Sequence, residues 1–178
     1  GQIISENDLD IKGSLDSDNL VYGKNEIRVG KSLVNRSDIQ SEGNITVSED
    51  TINTGRILSD KELNIKGNTV NQGTLYGKDN VKIEKNLNNT GSVQTTGELR
   101  AKDTANTGKL TVEGNISTDN LDNNGEIITN KKLVTKNLEN KSTGKITTGE
   151  GIDTAGNAVN HGQINTNGNF VISSNLEN

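Results

Sequence analysis

Asn53-Thr54-Gly55-Arg56-Ile57 opens a stretch that runs to Val70, and Asn71-Gln72-Gly73-Thr74-Leu75 opens a second copy that runs to Asn88. The two copies start eighteen residues apart. A fixed period of this size marks a repeat architecture, in which each unit is too small to bury its own apolar side chains and must stack on its neighbours. Carried outward from Gly55, the register tiles the chain at Gly1, Asn19, Ser37, Gly55, Gly73, Gly91, Gly108, Gly125, Gly144 and Gly162. The steps are 18 except for two of 17 and one of 19, adjustments that belong in turns. Two residues before the anchor runs an asparagine column: Asn35, Asn53, Asn71, Asn89, Asn106, Asn123 and Asn160, with Asn178 opening a further unit.

The apolar residues show what the period serves. Two positions after the anchors lie Ile3, Val21, Ile39, Ile57, Leu75, Val93, Leu110, Ile127, Ile146 and Ile164, and eight after lie Leu9, Ile27, Ile45, Leu63, Val81, Leu99, Ile116, Leu133, Ile152 and Phe170. Ten after come Ile11, Val29, Val47, Ile65, Ile83 and Ala101, then Thr118, Thr135 and Thr154, then Ile172. A fourth column, thirteen to fifteen after, is assigned to Leu15, Leu33, Ile52, Val70, Leu87, Ala105, Leu121, Leu138, Val159 and Leu176. Together these columns hold 37 of the 49 apolar residues, far too many for chance.

Eighteen residues are also five helical turns, so a helix has to be excluded. At 100° per residue these offsets scatter around a helix axis, whereas positions eight and ten after the anchor share one face of a strand. Asn, Gly and Thr between them are poor helix formers. Each unit therefore comprises short strands with two or three inward positions, joined by turns in which Gly and Asn are expected to supply φ > 0. Stacked about 4.8 Å apart, ten such units make an all-β, parallel β-helix solenoid on the order of 45 to 50 Å long. Residues 1–178 are expected to form a single repeat domain, without linkers.

That architecture reconciles an ordered core with a polar composition. Hydrophobic residues are only 28% of the chain, mean hydropathy is −0.72 and Asn alone occupies 28 positions, a profile that drifts toward disorder when the register is ignored. Cysteine is absent, which removes disulfides and thiolate metal sites. A net charge of −5 with one Phe, two Tyr and no Trp argues against nucleic acid. No apolar run approaches membrane-spanning length, so membrane insertion is not expected.

Four positions after the anchor the residues are nearly all small (Ser5, Gly23, Ser41, Ser59, Gly77, Thr95, Thr129, Thr148, Thr166, with Val112), and a Ser/Thr ladder facing inward is expected. The third position then faces out, and there Ile4, Tyr22, Leu58, Tyr76 and Ile128 form a candidate lateral contact stripe, interrupted by Gln40 and Gln94. Arg28, Lys66, Lys82, Arg100, Lys102 and Lys136 run along another face beside Glu26, Glu62 and Glu98, a mixed pattern suited to solvation and to blocking sideways aggregation. Ser37 in an anchor position is expected to mark a variant turn, and the Thr118–Thr154 stretch a narrower, hydroxylated core.

Catalytic constellations are not visible. His161 is the only histidine and sits in a turn slot without a fixed partner. Gly149-Glu150-Gly151-Ile152-Asp153 echoes a calcium turn once only, where calcium rolls repeat it in tandem. The acids form no recurrent pair, and every turn is short, so neither enzymatic activity nor a cofactor or metal is expected. Asn35, Asn44, Asn115 and Asn140 head acceptor tripeptides for N-glycosylation, as chance matches would in so Asn- and Ser/Thr-rich a chain.

The opening Asn-x-Gly-x-(Ile/Leu/Val), as at Asn53, Asn89, Asn123 and Asn160, resembles the repeats of the filamentous haemagglutinin family, bacterial exoproteins exported by two-partner secretion that include adhesins and contact-dependent growth inhibition proteins. The likeness covers nearly the whole chain and departs at Asn19, Ser37 and Ser142. It implies a right-handed β-helical shaft, secreted or held at the bacterial cell surface, in an internal segment of a longer exoprotein. It also implies an outer-membrane transporter for the full-length protein and a receptor or glycan on host or bacterial cells as partner. End-to-end or lateral self-association is the expectation if the rod is instead a cytoplasmic polymer of the bactofilin kind, and a carbohydrate-active β-helix enzyme is the remaining alternative.

Ile65→Asp should cost several kcal/mol, because it places a carboxylate in a column without counter-charge. The loss is read as diminished β signal in circular dichroism and an earlier urea midpoint.

Overall fold

The computed structural model describes all residues from Gly1 to Asn178. It is a parallel β-solenoid of about ten coils without helices; eight coils contribute three short strands, and in two the second and third are continuous. First strands, from Ile3–Ser5 to Gln163–Thr166, stack into one ten-stranded parallel sheet. Second and third strands form a continuous eighteen-stranded sheet around the other two faces.

Stacking is in register at the expected period. Val21 lies between Ile3 and Ile39, Ile57 between Ile39 and Leu75, and Val93 between Leu75 and Leu110. The second strands align Leu9, Ile27, Ile45, Leu63, Val81 and Leu99 in the same manner. Because each inward side chain meets its equivalent one strand spacing above and below, 28 buried apolar residues suffice for a continuous core through the rod.

Third strands correct the sequence-based register in four coils. Thr51, Thr69, Thr104 and Ala158 pair with Leu33, Leu87, Leu121, Leu138 and Leu176, and they face inward. Ile52, Val70, Ala105 and Val159, assigned above to the core, lie one residue along and therefore on the opposite side of the strand. Ile52 is accordingly 46% exposed. What holds the polar residue inside is the next inward position, two residues on, where the asparagine column is itself buried.

Those asparagines form a ladder. Asn35 Nδ2 donates to Asn53 Oδ1 at 2.8 Å, Asn53 to Asn71 at 2.8 Å, Asn71 to Asn89 at 2.7 Å, and the series continues through Asn106, Asn123, Asn140 and Asn160 to Asn178. The same Nδ2 groups reach the carbonyl two residues on, as Asn53 does to Gly55 at 3.1 Å, and a carbonyl of the following coil, as to Thr74 at 3.0 Å. Asn140 belongs to the ladder although its motif fails at Ser142, since the extra residues before Gly144 are absorbed in the turn.

The turns also correct an expectation. No residue other than Gly has φ > 0, and among the glycines only Gly151 does, at 133°. The anchor glycine is required by close approach instead: a Cβ on Gly73 would lie 2.0 Å from the Gly55 carbonyl oxygen, and one on Gly91 would lie 2.1 Å from that of Gly73. Ser37 does mark a variant turn: its main-chain nitrogen donates to Asn35 Oδ1 of the same turn at 3.2 Å, where those of Gly55, Gly73 and Gly91 donate to an asparagine carbonyl of the coil below, while Asn35 Nδ2 still donates to the Ser37 carbonyl at 2.9 Å. Ser41 and Ser59 do face inward as expected, but their hydroxyls donate to the Asn25 and Gly43 carbonyls at 2.9 and 2.7 Å and so tie down the corner backbone more than one another.

The corner between second and third strands varies in length. Three residues separate the last inward side chain of one from the first of the next in Ile65/Thr69, Ile83/Leu87 and Thr154/Ala158, but only two do so in Ala101/Thr104, Thr118/Leu121 and Thr135/Leu138. In the last two of these coils the strand runs unbroken around the corner, as Ile116–Asn123 and Lys132–Asn140. Two of the three short corners carry Thr at the last inward position and the other carries Ala101; the Thr135 hydroxyl lies within hydrogen-bond reach of two corner carbonyls, Asn137 at 2.8 Å and Asp119 at 3.0 Å. The expected hydroxylated core from Thr118 to Thr154 is thus present, with short corners at Thr118 and Thr135 only. Thr154 sits in a long corner and its buried hydroxyl has no partner, as is true of Thr51 and Thr69.

Replacing Asn89 by Leu conserves volume but strips the donor from Asn106 Oδ1 and from the Gly91 and Lys109 carbonyls, and should lower unfolding free energy by about 2 to 4 kcal/mol. Asn88→Ala, on the exposed side of the same strand, should stay within about 0.5 kcal/mol. Urea denaturation of the pair checks the contrast.

Candidate functional site

Nothing inside the rod is accessible, so any function resides on its outer faces. On the first face the strand register stacks Ile4, Tyr22, Gln40, Leu58, Tyr76, Gln94, Thr111 and Ile128 in that order. All five residues of the candidate stripe thus project from one side. Ile4 is 58% exposed and the other four are half-buried. Ile4 touches the Tyr22 position and Leu58 that of Tyr76, while Gln40 divides these pairs and Gln94 and Thr111 isolate Ile128. Tyr22 is tethered, because its hydroxyl donates to Glu42 Oε1 at 2.6 Å. That bond, with desolvation and the nearby carboxylates of Glu42, Glu6 and Asp60, pushes the phenol pKa up to about 12.

Ion pairs dominate the basic face. Arg28 meets both Asp8 and Glu26, Arg100 meets Glu98, Lys82 meets Glu84, and Lys136 meets Asp119, whereas Lys66 and Lys102 pair with no acid. Between first strands, Arg56 grips Asp38 with two bonds of 2.8 Å, and the guanidinium holds the Asp38 carboxyl below the usual carboxylate range. Pairs this exposed contribute little stability each, but they offset most of the positive charge on the face.

His161 is exposed in its turn, and no three His, Asp or Glu side chains converge as a metal site. Of the glycosylation tripeptides, Asn35 and Asn140 are buried in the ladder. Asn44 and Asn115 accept hydrogen bonds from the Glu62 and Lys132 main-chain nitrogens at 3.1 Å.

The third face carries a feature that the sequence-based columns passed over. A recess of about 550 Å³ extends along the rod from Asn86 to Val159. One wall is the row Asn86, Asp103, Asn120, Asn137 and Asn157, just before the third strand, and the other is the outward row Asn88, Ala105, Asp122, Glu139 and Val159. Asn120 Nδ2 donates to Asp103 Oδ1 at 2.6 Å and Asn137 Nδ2 to Asn120 Oδ1 at 2.9 Å, which orients these amides. Asp122 pairs with Lys141, whose ammonium pKa is raised by that bond. The signal available in sequence was the pair of 17-residue steps, which mark two of the three short-cornered coils at the middle of the recess; the third is masked by two extra turn residues before Gly144.

No family model, no curated protein and no solved structure matches the chain. The resemblance to filamentous haemagglutinin repeats therefore stands on the Asn-x-Gly motif and on the solenoid it builds.

With Tyr76→Phe leaving a single tyrosine, absorbance titration should show the Tyr22 phenol holding its proton to about pH 12. Glu42→Gln should bring it back toward about 10. Whatever stability the bond contributes is complete below about pH 10 and is lost as pH rises through about 12.

Proposed function

We propose that this chain is a structural and adhesive rod segment of a large bacterial exoprotein, secreted or displayed at the cell surface, and that it performs no catalysis. The observation that carries this is the unbroken in-register stacking of ten near-identical coils, locked by a single asparagine ladder from Asn35 to Asn178. Such an array resists bending and unravelling, because each internal coil is bonded to two neighbours through its strands and, from Ser37 onward, through its turns: Thr74 N donates to the Gly55 carbonyl at 2.9 Å and Ser92 N to that of Gly73 at 2.8 Å. Its outer faces carry short turns and neutralised charge, which suits a spacer that presents contact patches at a distance from the cell. The Asn-x-Gly resemblance supports the extracellular setting and an outer-membrane transporter for the full-length protein, with a receptor or glycan on host or bacterial cells as partner.

Beads coated with the chain should be retained on host or bacterial cells above beads coated with a scrambled-sequence control, and the chain should release no reducing ends from polysaccharides. Polysaccharide cleavage would overturn the non-catalytic assignment. Retention of the full-length protein in the cytoplasm with end-to-end filament growth would replace the exoprotein by a bactofilin-like polymer.

A further inference from the structure

The recess on the third face, of about 550 Å³, is centred where the repeat departs from its own rule in three coils running. We propose that it binds a linear, uncharged oligosaccharide along the rod axis. The proposal rests on the adhesive role proposed above and assigns that role a ligand class and a place.

Size and periodicity come first. A cavity of 550 Å³ falls within the range of small-ligand sites. Three of the five coils offer a polar side chain from both walls (Asn86/Asn88, Asn120/Asp122 and Asn137/Glu139) and two offer one polar and one apolar side chain (Asp103/Ala105 and Asn157/Val159), repeated at about 4.8 Å, so that five coils span about 19 Å. That repeat is close to the length of one pyranose ring in an extended chain, so that about four rings fit, with an amide or carboxylate on every coil for their hydroxyls and the apolar Ala105 and Val159 side chains for a ring face.

The chemistry of the walls selects among ligands. Asn86, Asn88 and Glu139 form no side-chain hydrogen bond within the protein and are free to meet hydroxyls, while the bonds from Asn120 and Asn137 pre-orient the amides between them. Ala105 stands in the middle of the outward row, where its methyl group leaves room for a ring to lie flat. Asp103, Asp122 and Glu139 face this space, and Lys141 is committed to Asp122, so a sulfated, sialylated or uronic chain would be repelled. An extended peptide is disfavoured for a different reason. Each strand under the recess is already paired on both sides, as Asp103–Asn106 is with Leu87–Asn89 and with Ile116–Asn123, and no free edge remains for strand addition.

The test uses calorimetry and amide NMR with cellotetraose, maltotetraose and chitotetraose as neutral probes, a heparin tetrasaccharide as the anionic probe and tetralysine as the peptide probe. At least one neutral tetrasaccharide should bind, with shifts confined to residues 86–88, 103–105, 120–122 and 137–139. Ala105→Trp, which fills the recess from the solvent side and should leave the unfolding midpoint in place, should weaken that binding at least tenfold. Absence of binding by all three neutral probes overturns the proposal, as does binding that Ala105→Trp leaves unchanged, or preference for heparin or tetralysine. If the neutral probes fail while Ala105→Trp beads remain on cells, the recess is not the adhesive site and the adhesive role stands; if wild-type beads are not retained either, that role falls as well.

Discussion

Everything in this molecule depends on vertical registration: a residue and its equivalent about eighteen positions later must lie one strand spacing apart. Two interactions enforce it. Aliphatic columns would tolerate some slip, because dispersion between Ile, Leu and Val is nearly isotropic. The asparagine ladder would not. The two protons of each buried amide are shared among three acceptors, the next amide oxygen and two carbonyls, and a displaced coil would leave several buried polar groups without partners at once. The apolar columns supply much of the driving force, and the ladder supplies the uniqueness.

The glycine anchor serves the same end. It brings the turn backbone of one coil so near the carbonyl below that the main chain can stay bonded coil to coil even outside the strands. Conformational freedom is not what is being used, except at Gly151. The threonines illustrate a related trade. In short corners a Thr hydroxyl replaces a missing backbone partner, whereas at Thr51, Thr69 and Thr154 the hydroxyl is buried unpaired, a local cost that a thin core with many bonded neighbours can carry.

The recess and the exposed apolar positions follow from where the repeat is imperfect. Removing one corner residue in each of three successive coils lowers the third face between longer-cornered neighbours, and the small Ala105 deepens it. On the first face the apolar stripe exists as placed, but Gln40 splits it and Glu42 occupies the Tyr22 hydroxyl, so that it is a series of small patches and not one band.

The period, the strand class, three of the four inward columns and the outward direction of Ile4, Tyr22, Leu58, Tyr76 and Ile128 were legible in the sequence, because alternation along a strand and recurrence at eighteen are one-dimensional properties. The third strand was not, since apolar character competes with register there: Ile52 and Val70 look like core, yet Asn53 and Asn71 take the inward positions and force Thr51 and Thr69 in with them. An amide is a turn residue by composition and a core residue only when an identical amide lies directly above it. Sequence by itself determined that coils would stack; which asparagines turn inward, and where a missing corner residue opens a recess, depended on side chains from neighbouring coils meeting at hydrogen-bond distance, which only the folded stack brings about.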